Sequence, residues 1–181
     1  MSGFVKTPVT HRVAVGLLGL EGDEQADLRV HGGRDKAVYG YAWPNYALWR
    51  ADFPQYAALL VPGGLGENLT IEGCDERRVC LGDIVRIGTA VLQVTEPRQP
   101  CFKFALRFDD VAMPRAMVRN GYCGWYYRVL TPGSLAAGDS VVLEERPNPD
   151  WSIDRVNRLI VQRRATEAER AEFAQLPGRA G

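Results

Sequence analysis

Short apolar runs separated by glycine- and proline-containing turns are the feature that most constrains the fold of this sequence. Residues 84–87 and 90–94 are apolar runs on either side of a Gly-Thr pair, which predicts a β-hairpin. Residues 124–130 and 141–143 are further candidate strands, the first followed by a turn at residues 131–134. With 19 glycines and 11 prolines among 181 residues, turns are more frequent than in an average protein. A helical bundle is therefore excluded, and a mainly β domain is expected.

Two short helices are expected to interrupt this β region. Pro44 suits the first turn of one helix, which the break at Pro54 would end. Pro114 is expected to start the other, which would end at Gly121.

A change of composition after the last candidate strand predicts a boundary. Residues 144–150 are charged and broken by prolines, which is typical of a linker. We therefore expect a β domain over residues 1–146 and a short helical extension over residues 147–181. In that extension Ser152 is the expected N-cap of one helix, and Thr166 begins a capping box for a second. So small a segment cannot fold alone and must pack on the β domain or on a partner.

Charge and apolar content exclude several kinds of protein. The chain has 22 basic and 22 acidic side chains and no net charge, so the basic excess of a nucleic-acid-binding protein is absent. Stretches of 18 apolar residues are absent, and the N-terminal residues do not resemble a secretory signal. We expect a cytoplasmic protein with four reduced cysteines, whose spacing without a Cys-x-x-Cys pair argues against a structural zinc site.

The segment around Cys101 is the most informative for chemistry. It follows a strand expected to end at Val94, and its two prolines predict a stiff loop that cannot extend a central strand. Arg98 and Lys103 place two cations near the thiol, and cations favour the thiolate, which is the nucleophilic and metal-binding form. The alternative is that Cys101 is a small buried apolar side chain, as cytosolic cysteines commonly are.

Two other loops are polar and rich in glycine, at residues 31–38 and 63–70. Neither contains a Walker A motif or a dinucleotide-binding fingerprint. Backbone amides exposed by the glycines, together with Lys36 or Arg34, could hold a phosphate. The alternative for each loop is an ordinary surface turn, with His31 as a structural histidine.

These loops carry a set of motifs that occur together, in this order, in one known family. The motifs are Lys6-Thr7-Pro8-Val9, Leu18-Gly19-Leu20-Glu21-Gly22-Asp23, His31-Gly32-Gly33, Asp35-Lys36-Ala37-Val38, Gly66-Glu67-Asn68-Leu69-Thr70, Gly82-Asp83, Pro97-Arg98-Gln99-Pro100-Cys101-Phe102-Lys103 and Gly138-Asp139. Over residues 4–160 the sequence resembles the MOSC domain, named after the C-terminal domain of molybdenum cofactor sulfurase. Within that family it is most similar to the YiiM type, bacterial proteins linked to resistance to 6-hydroxylaminopurine.

The resemblance implies a fold, a cofactor and an activity. The fold would be a β-barrel of the pyruvate-kinase type, in a superfamily also associated with pyridoxal phosphate. The cofactor would be the molybdenum cofactor, molybdopterin, and the activity the reduction of small N-hydroxylated substrates. Electrons would come from a separate flavin or iron–sulfur protein, because the sequence has no redox-cofactor motif of its own. A homodimer is among the assemblies to be expected, with no nucleic-acid or membrane partner.

The resemblance also assigns site residues. Cys101 would be the catalytic residue and the sulfur ligand to the metal. YiiM-type proteins carry a longer segment of three helices at the C-terminal end, so the extension here would be a shortened one. Two alternatives remain open, a sulfur carrier with a persulfide on Cys101 and a non-catalytic carrier of the cofactor. The other residues implied to bind the cofactor or to orient the substrate are Arg98, Lys103, His31, Arg34, Lys36, Gly66, Glu67 and Asn68.

Overall fold

The computed structural model describes residues 6–23 and 33–180, which form two β-sheets and several short helices. Two sheets contain all nine strands of these residues. The strands are β1 (Val13–Gly16), β2 (Gly19–Leu20), β3 (Val38–Ala42), β4 (Leu69–Ile71), β5 (Ile84–Ile87), β6 (Ala90–Pro97), β7 (Trp125–Thr131), β8 (Gly133–Leu135) and β9 (Val141–Glu145).

Short helices connect and follow the strands. None of the helices in the described ranges is long and apolar enough to span a bilayer. A 3₁₀ turn at Arg34–Lys36 precedes β3, another lies at Pro54–Tyr56, and a π turn occupies Asn157–Val161. The α-helices are α1 (Asn45–Asp52), α2 (Phe102–Phe108), α3 (Ala112–Asn120), α4 (Ile153–Val156) and α5 (Glu167–Gln175).

The larger sheet is a curled, six-stranded half-barrel with the order β4-β3-β7-β6-β5-β9. All its pairs are antiparallel except the parallel pair of β3 and β4. The smaller sheet has the order β2-β1-β8 and is antiparallel throughout. The expected mainly β, barrel-type fold with a few short helices is therefore confirmed.

Several elements were predicted from local sequence and are confirmed. The hairpin of β5 and β6 closes at Ile87 opposite Ala90, as the Gly-Thr pair predicted. Helix α1 follows Pro44, and α3 ends at Gly121 in the left-handed conformation. Pro114 does not start α3, since the helix begins two residues earlier at Ala112.

The prediction that the strand before Cys101 ends at Val94 is wrong. β6 continues to Pro97, where Glu96 and Pro97 face Tyr126 and Trp125 of β7. A register shift between Val94 and Glu96 makes this extension compatible with the sheet, because a β-bulge absorbs one residue and turns the chain. Pro97 is the last residue of the strand, so its missing N–H interrupts no further pairing.

Two other predictions of irregular backbone are wrong in part. Within the predicted turn at residues 131–134, Gly133 and Ser134 begin β8 and pair with β1, because the chain passes there from one sheet to the other. Glu144 and Glu145, expected in the linker, belong to β9. Their charged side chains are exposed because β9 is the edge strand of its sheet.

The helical tail packs on the β domain through a second, smaller core. Trp151 and Val156 bury their side chains against Leu81, and the N–H of Leu81 donates to the Trp151 carbonyl over 2.8 Å. Ser152 caps α4 by accepting from the N–H of Arg155, as predicted. The capping box at the start of α5 is confirmed too, with Thr166 as the N-cap.

Candidate functional site

Cys101 lies just after the end of β6, at the start of α2. The N–H of Arg98 donates to the carbonyl of Gly124 over 3.2 Å, which ties the segment after β6 to the start of β7. The carbonyl of Cys101 accepts from the N–H of Phe104 over 3.0 Å, so the residue is the N-cap of α2. Its side chain is half-buried. The residue is thus held by backbone bonds on both sides and is partly exposed.

The Arg98 side chain turns inward, and only 5% of the residue is exposed. Its guanidinium carbon lies 5.2 Å from the ring centre of Tyr39 and 5.1 Å from that of Phe104. Its Nη1 atom lies 3.1 Å from the sulfur of Met117, and its guanidinium hydrogen-bonds to Tyr126. A buried cation enclosed by two rings is stabilised by cation–π attraction. Arg98 is therefore fixed in place beneath the cysteine loop.

The charge state of this cluster follows from its burial. Burial alone lowers the pKa of Arg98, but its electrostatic interactions with Tyr39, Tyr126 and Cys101 oppose this, and the pKa is raised overall. Burial raises the pKa of Tyr39 and Tyr126, so both phenols stay protonated at neutral pH. Arg98 is consequently a permanent positive charge facing two neutral phenols and one thiol.

The other three cysteines lie in settings that keep the thiol protonated. Burial raises the pKa of Cys74 to about 11, with the nearby Glu76 as the next cause. Burial also raises the pKa of Cys80 and of Cys123, the latter most strongly. Cys80 is in the core.

The turn that carries Arg34 and Lys36 is attached to the same end of the sheet. The hydroxyl of Thr95 donates to the carbonyl of Asp35 over 2.6 Å, and Arg128 forms an ion pair with the Asp35 carboxylate at 2.8 Å. Lys36 lies 3.3 Å from Glu96 and over the ring of Tyr126, which also touches Arg98. The structure therefore brings Lys36 and the Cys101 loop together through β6 and β7.

In the loop at residues 63–68, the carboxylate of Glu67 accepts hydrogen bonds from groups of the protein itself. Glu67 is buried and accepts from the N–H of Gly63 at 2.8 Å, the N–H of Leu65 at 3.2 Å and the hydroxyl of Thr70 at 3.0 Å, besides the hydroxyl of Tyr46. Both carboxylate oxygens are thus occupied, and Gly66 lies within this bonded loop.

Asn68 joins the same loop to the site. Its side-chain oxygen accepts from the N–H of Tyr39 at 2.8 Å, and its amide nitrogen donates to Asp23 at 2.7 Å. Asp23 in turn forms an ion pair with Lys6 at 2.8 Å. Asn68 therefore fixes the strand that carries the ring over Arg98.

The remaining residues implied by the family resemblance are less connected. Arg34 is exposed on its turn, and Lys103 is half-buried on α2. His31 lies outside the described residues.

A buried carboxylate that sequence reasoning missed holds the start of β7. Glu76 accepts from the side-chain amide of Asn45 at 2.9 Å and from the N–H of Gly124 at 2.7 Å. Burial raises the pKa of Glu76, although these hydrogen bonds oppose the shift. Gly124 has φ of 67°, and a side-chain carbon there would collide with the carbonyl of Gly40. The only signal in the sequence was the glycine itself, since its partners are distant along the chain.

Tyr39, Tyr126 and Glu96 were missed for a related reason. They meet because β3 and β6 flank β7, with Tyr39 and Glu96 both opposite Tyr126 in the register. Glu96 is close to Cys101 in the sequence, whereas Lys36, the ion-pair partner of Glu96, is distant along the chain. Strand order is a non-local property that residue spacing does not reveal.

Comparison with known proteins agrees with this architecture. The family model of the MOSC domain matches residues 27–142. The chain therefore belongs to the MOSC domain family. YiiM of Escherichia coli strain K12 is 38% identical over 172 residues, which are 95% of this chain and 73% of that protein. The crystal structure of YiiM from Geobacillus stearothermophilus superposes with a TM-score of 0.86 at 35% identity, covering 100% of this chain and 85% of that one.

A second relative has a functional name. A protein called Reductase from Gibberella moniliformis is 42% identical over 160 residues. The match covers 88% of this chain but only 28% of the fungal protein. The chain is thus a YiiM-like member of the family with a reductase-named homologue.

Proposed function

We propose that this protein binds the molybdenum cofactor through Cys101 and reduces N-hydroxylated compounds. The observation that supports the proposal best is the partly exposed Cys101, held just after the end of β6 near the buried cation Arg98. MOSC domain membership and the reductase-named homologue support it further.

The residues at the site fit the proposed cofactor. Thiolates are the preferred protein ligands of soft transition metals, and Cys101 lies three residues after the buried cation Arg98. No group of three or more His, Cys, Asp or Glu side chains in the described ranges is arranged to hold a metal ion. That is the arrangement expected where a metal enters already bound by an organic ligand, with one protein sulfur completing its coordination.

Charges near the thiol suit the anionic part of the cofactor. Lys36, about one-third exposed, and the exposed Arg34 lie on a turn attached to the Cys101 end of the sheet. We assign these two side chains to the phosphate. Arg98 has no direct role with the phosphate in this proposal, because it is enclosed by Tyr39 and Phe104.

The proposed reaction is a two-electron reduction. The N–O bond of R–NH–OH breaks, and two electrons with two protons give R–NH₂ and water. When bound, the molybdenum cofactor supplies the redox chemistry and the acceptor for the oxygen atom. Cys101 would hold the metal, Arg98 would place a buried positive charge beside it, and protons would come from solvent. The electrons come from a separate flavin or iron–sulfur protein.

The test is turnover of 6-hydroxylaminopurine to adenine by protein produced in cells that make the cofactor. Reduced methyl viologen serves as the electron donor, and adenine is quantified by chromatography. We expect turnover by the wild type and by Cys74→Ser, and at least about a hundredfold loss in Cys101→Ser. Equal turnover by Cys101→Ser and Cys74→Ser would refute the assignment, and absence of turnover by the wild type would refute the proposed activity.

A further inference from the structure

An unusual apolar surface lies immediately beside Cys101. Phe102 and Leu106 of α2 are 67% and 69% exposed, more than almost all other large apolar side chains in the described chain. They are four residues apart and therefore lie on one face of the helix. Phe104 and Phe108, on the opposite face, are buried in the core. The helix is thus anchored by one apolar face while it presents a second one outward.

Cations lie beside the exposed pair of Phe102 and Leu106. Lys103 and Arg107 are also four residues apart, and each follows one of the two exposed apolar residues by one position. They therefore form a basic row beside Phe102 and Leu106. Both residues are half-buried, and neither forms an ion pair with any residue of ranges 6–23 and 33–180. The Nε atom of Arg107 is itself buried and has no hydrogen-bond acceptor in those ranges. We name Phe102, Lys103, Leu106 and Arg107 the α2 face.

We propose that the α2 face is the docking site for an acidic electron-donor protein. This inference rests on the proposed function, which requires electrons from outside the chain. The face begins one residue after Cys101, and electron transfer is fast only when donor and acceptor approach closely. A protein that docks on Phe102 and Leu106 would reach the point nearest to the proposed metal ligand.

The shape and charge of the α2 face favour a protein over a small substrate. Small ligands bind in concave sites, whereas the outer face of a helix is convex. An apolar centre beside unpaired cations matches the usual anatomy of a protein interface. The unpaired positive charges are complementary to an acidic partner and would speed its association at low ionic strength.

Direct binding of an acidic [2Fe–2S] ferredoxin tests the proposal without relying on turnover. Calorimetric titration of the wild type should show binding that weakens as salt is raised. Leu106→Glu and Arg107→Glu should each bind about tenfold more weakly, since they place negative charge in the interface. The matched control is Leu18→Glu, at an exposed leucine of the turn between β1 and β2, which should bind as the wild type does.

Turnover separates this inference from the proposed function. With methyl viologen as donor, Leu106→Glu should reduce 6-hydroxylaminopurine as fast as the wild type, while its ferredoxin-driven rate falls. If the wild type shows no turnover with either donor, the proposed function is refuted and the docking proposal is not. The docking proposal is overturned if the wild type does not bind ferredoxin, if binding is indifferent to salt, or if Leu106→Glu binds as tightly as Leu18→Glu.

Discussion

Replacing Glu67 with alanine tests whether this carboxylate holds its loop together. The change would remove the acceptor of two buried backbone N–H groups, those of Gly63 and Leu65, and of the buried hydroxyl of Tyr46. An unsatisfied buried donor costs about 1–3 kcal/mol. Water entering the space would recover part of that cost, so we expect a loss of about 3–6 kcal/mol in the free energy of unfolding. Such a loss is a large share of the roughly 5–15 kcal/mol that stabilises a domain.

Urea-induced unfolding, followed by tryptophan fluorescence, measures this loss. Glu67→Gln should cost less, about 1–3 kcal/mol, because one acceptor oxygen remains for the loop. Glu72→Ala, at an exposed glutamate just after β4, is the matched control and should change stability by less than about 0.5 kcal/mol. A cost below about 1 kcal/mol for Glu67→Ala, together with lost turnover, would refute the reasoning. That result would return Glu67 to the substrate-facing role that the family resemblance implied.

Three further predictions concern stability. Burial raises the pKa of Glu76 from its usual 4.5. The stability that Glu76 contributes is therefore greatest below pH 4.5 and is lost as pH rises through the raised pKa. The difference in unfolding free energy between Glu76→Gln and the wild type should shift in favour of the variant from pH 4.5 upward. Gly124→Ala should lower the melting temperature by several degrees, since a side chain there meets the carbonyl of Gly40; an unchanged melting temperature would contradict this. Thr166→Ala, which removes the N-cap of α5, should cost about 1 kcal/mol in urea unfolding, and no measurable cost would show that the cap does not stabilise the tail.

The elements that could be predicted are those whose signals are local. The β5–β6 hairpin follows from a glycine turn between two apolar runs. The cap of α5 follows from Thr166 and Glu169, three residues apart, and that of α4 from a serine at the start of the helix. Strand β3 was missed because all five of its residues are buried, so it shows no alternation of polar and apolar positions. Helix α2 was missed because its apolar residues directly follow the two prolines and read as part of the loop.

The candidate site was predictable to a similar extent. Cys101 could be singled out because its flanking prolines and cations are adjacent in the sequence. The inward position of Arg98 could not, because its partners Tyr39, Phe104 and Met117 come from three different elements. The sequence shows that Arg98 brings a positive charge to this loop, but the packing of β3, α2 and α3 around its side chain decides where that charge lies.

The most direct test of the central claim is the molybdenum content of the purified protein. Wild type and Cys74→Ser, produced in cells that synthesise the cofactor, should each contain close to one molybdenum atom per chain by mass spectrometry of the metal. Cys101→Ser should contain little or none, while its unfolding transition remains cooperative. Equal molybdenum in Cys101→Ser and Cys74→Ser, or a wild type that carries one additional sulfur on Cys101 and no molybdenum, would contradict the account.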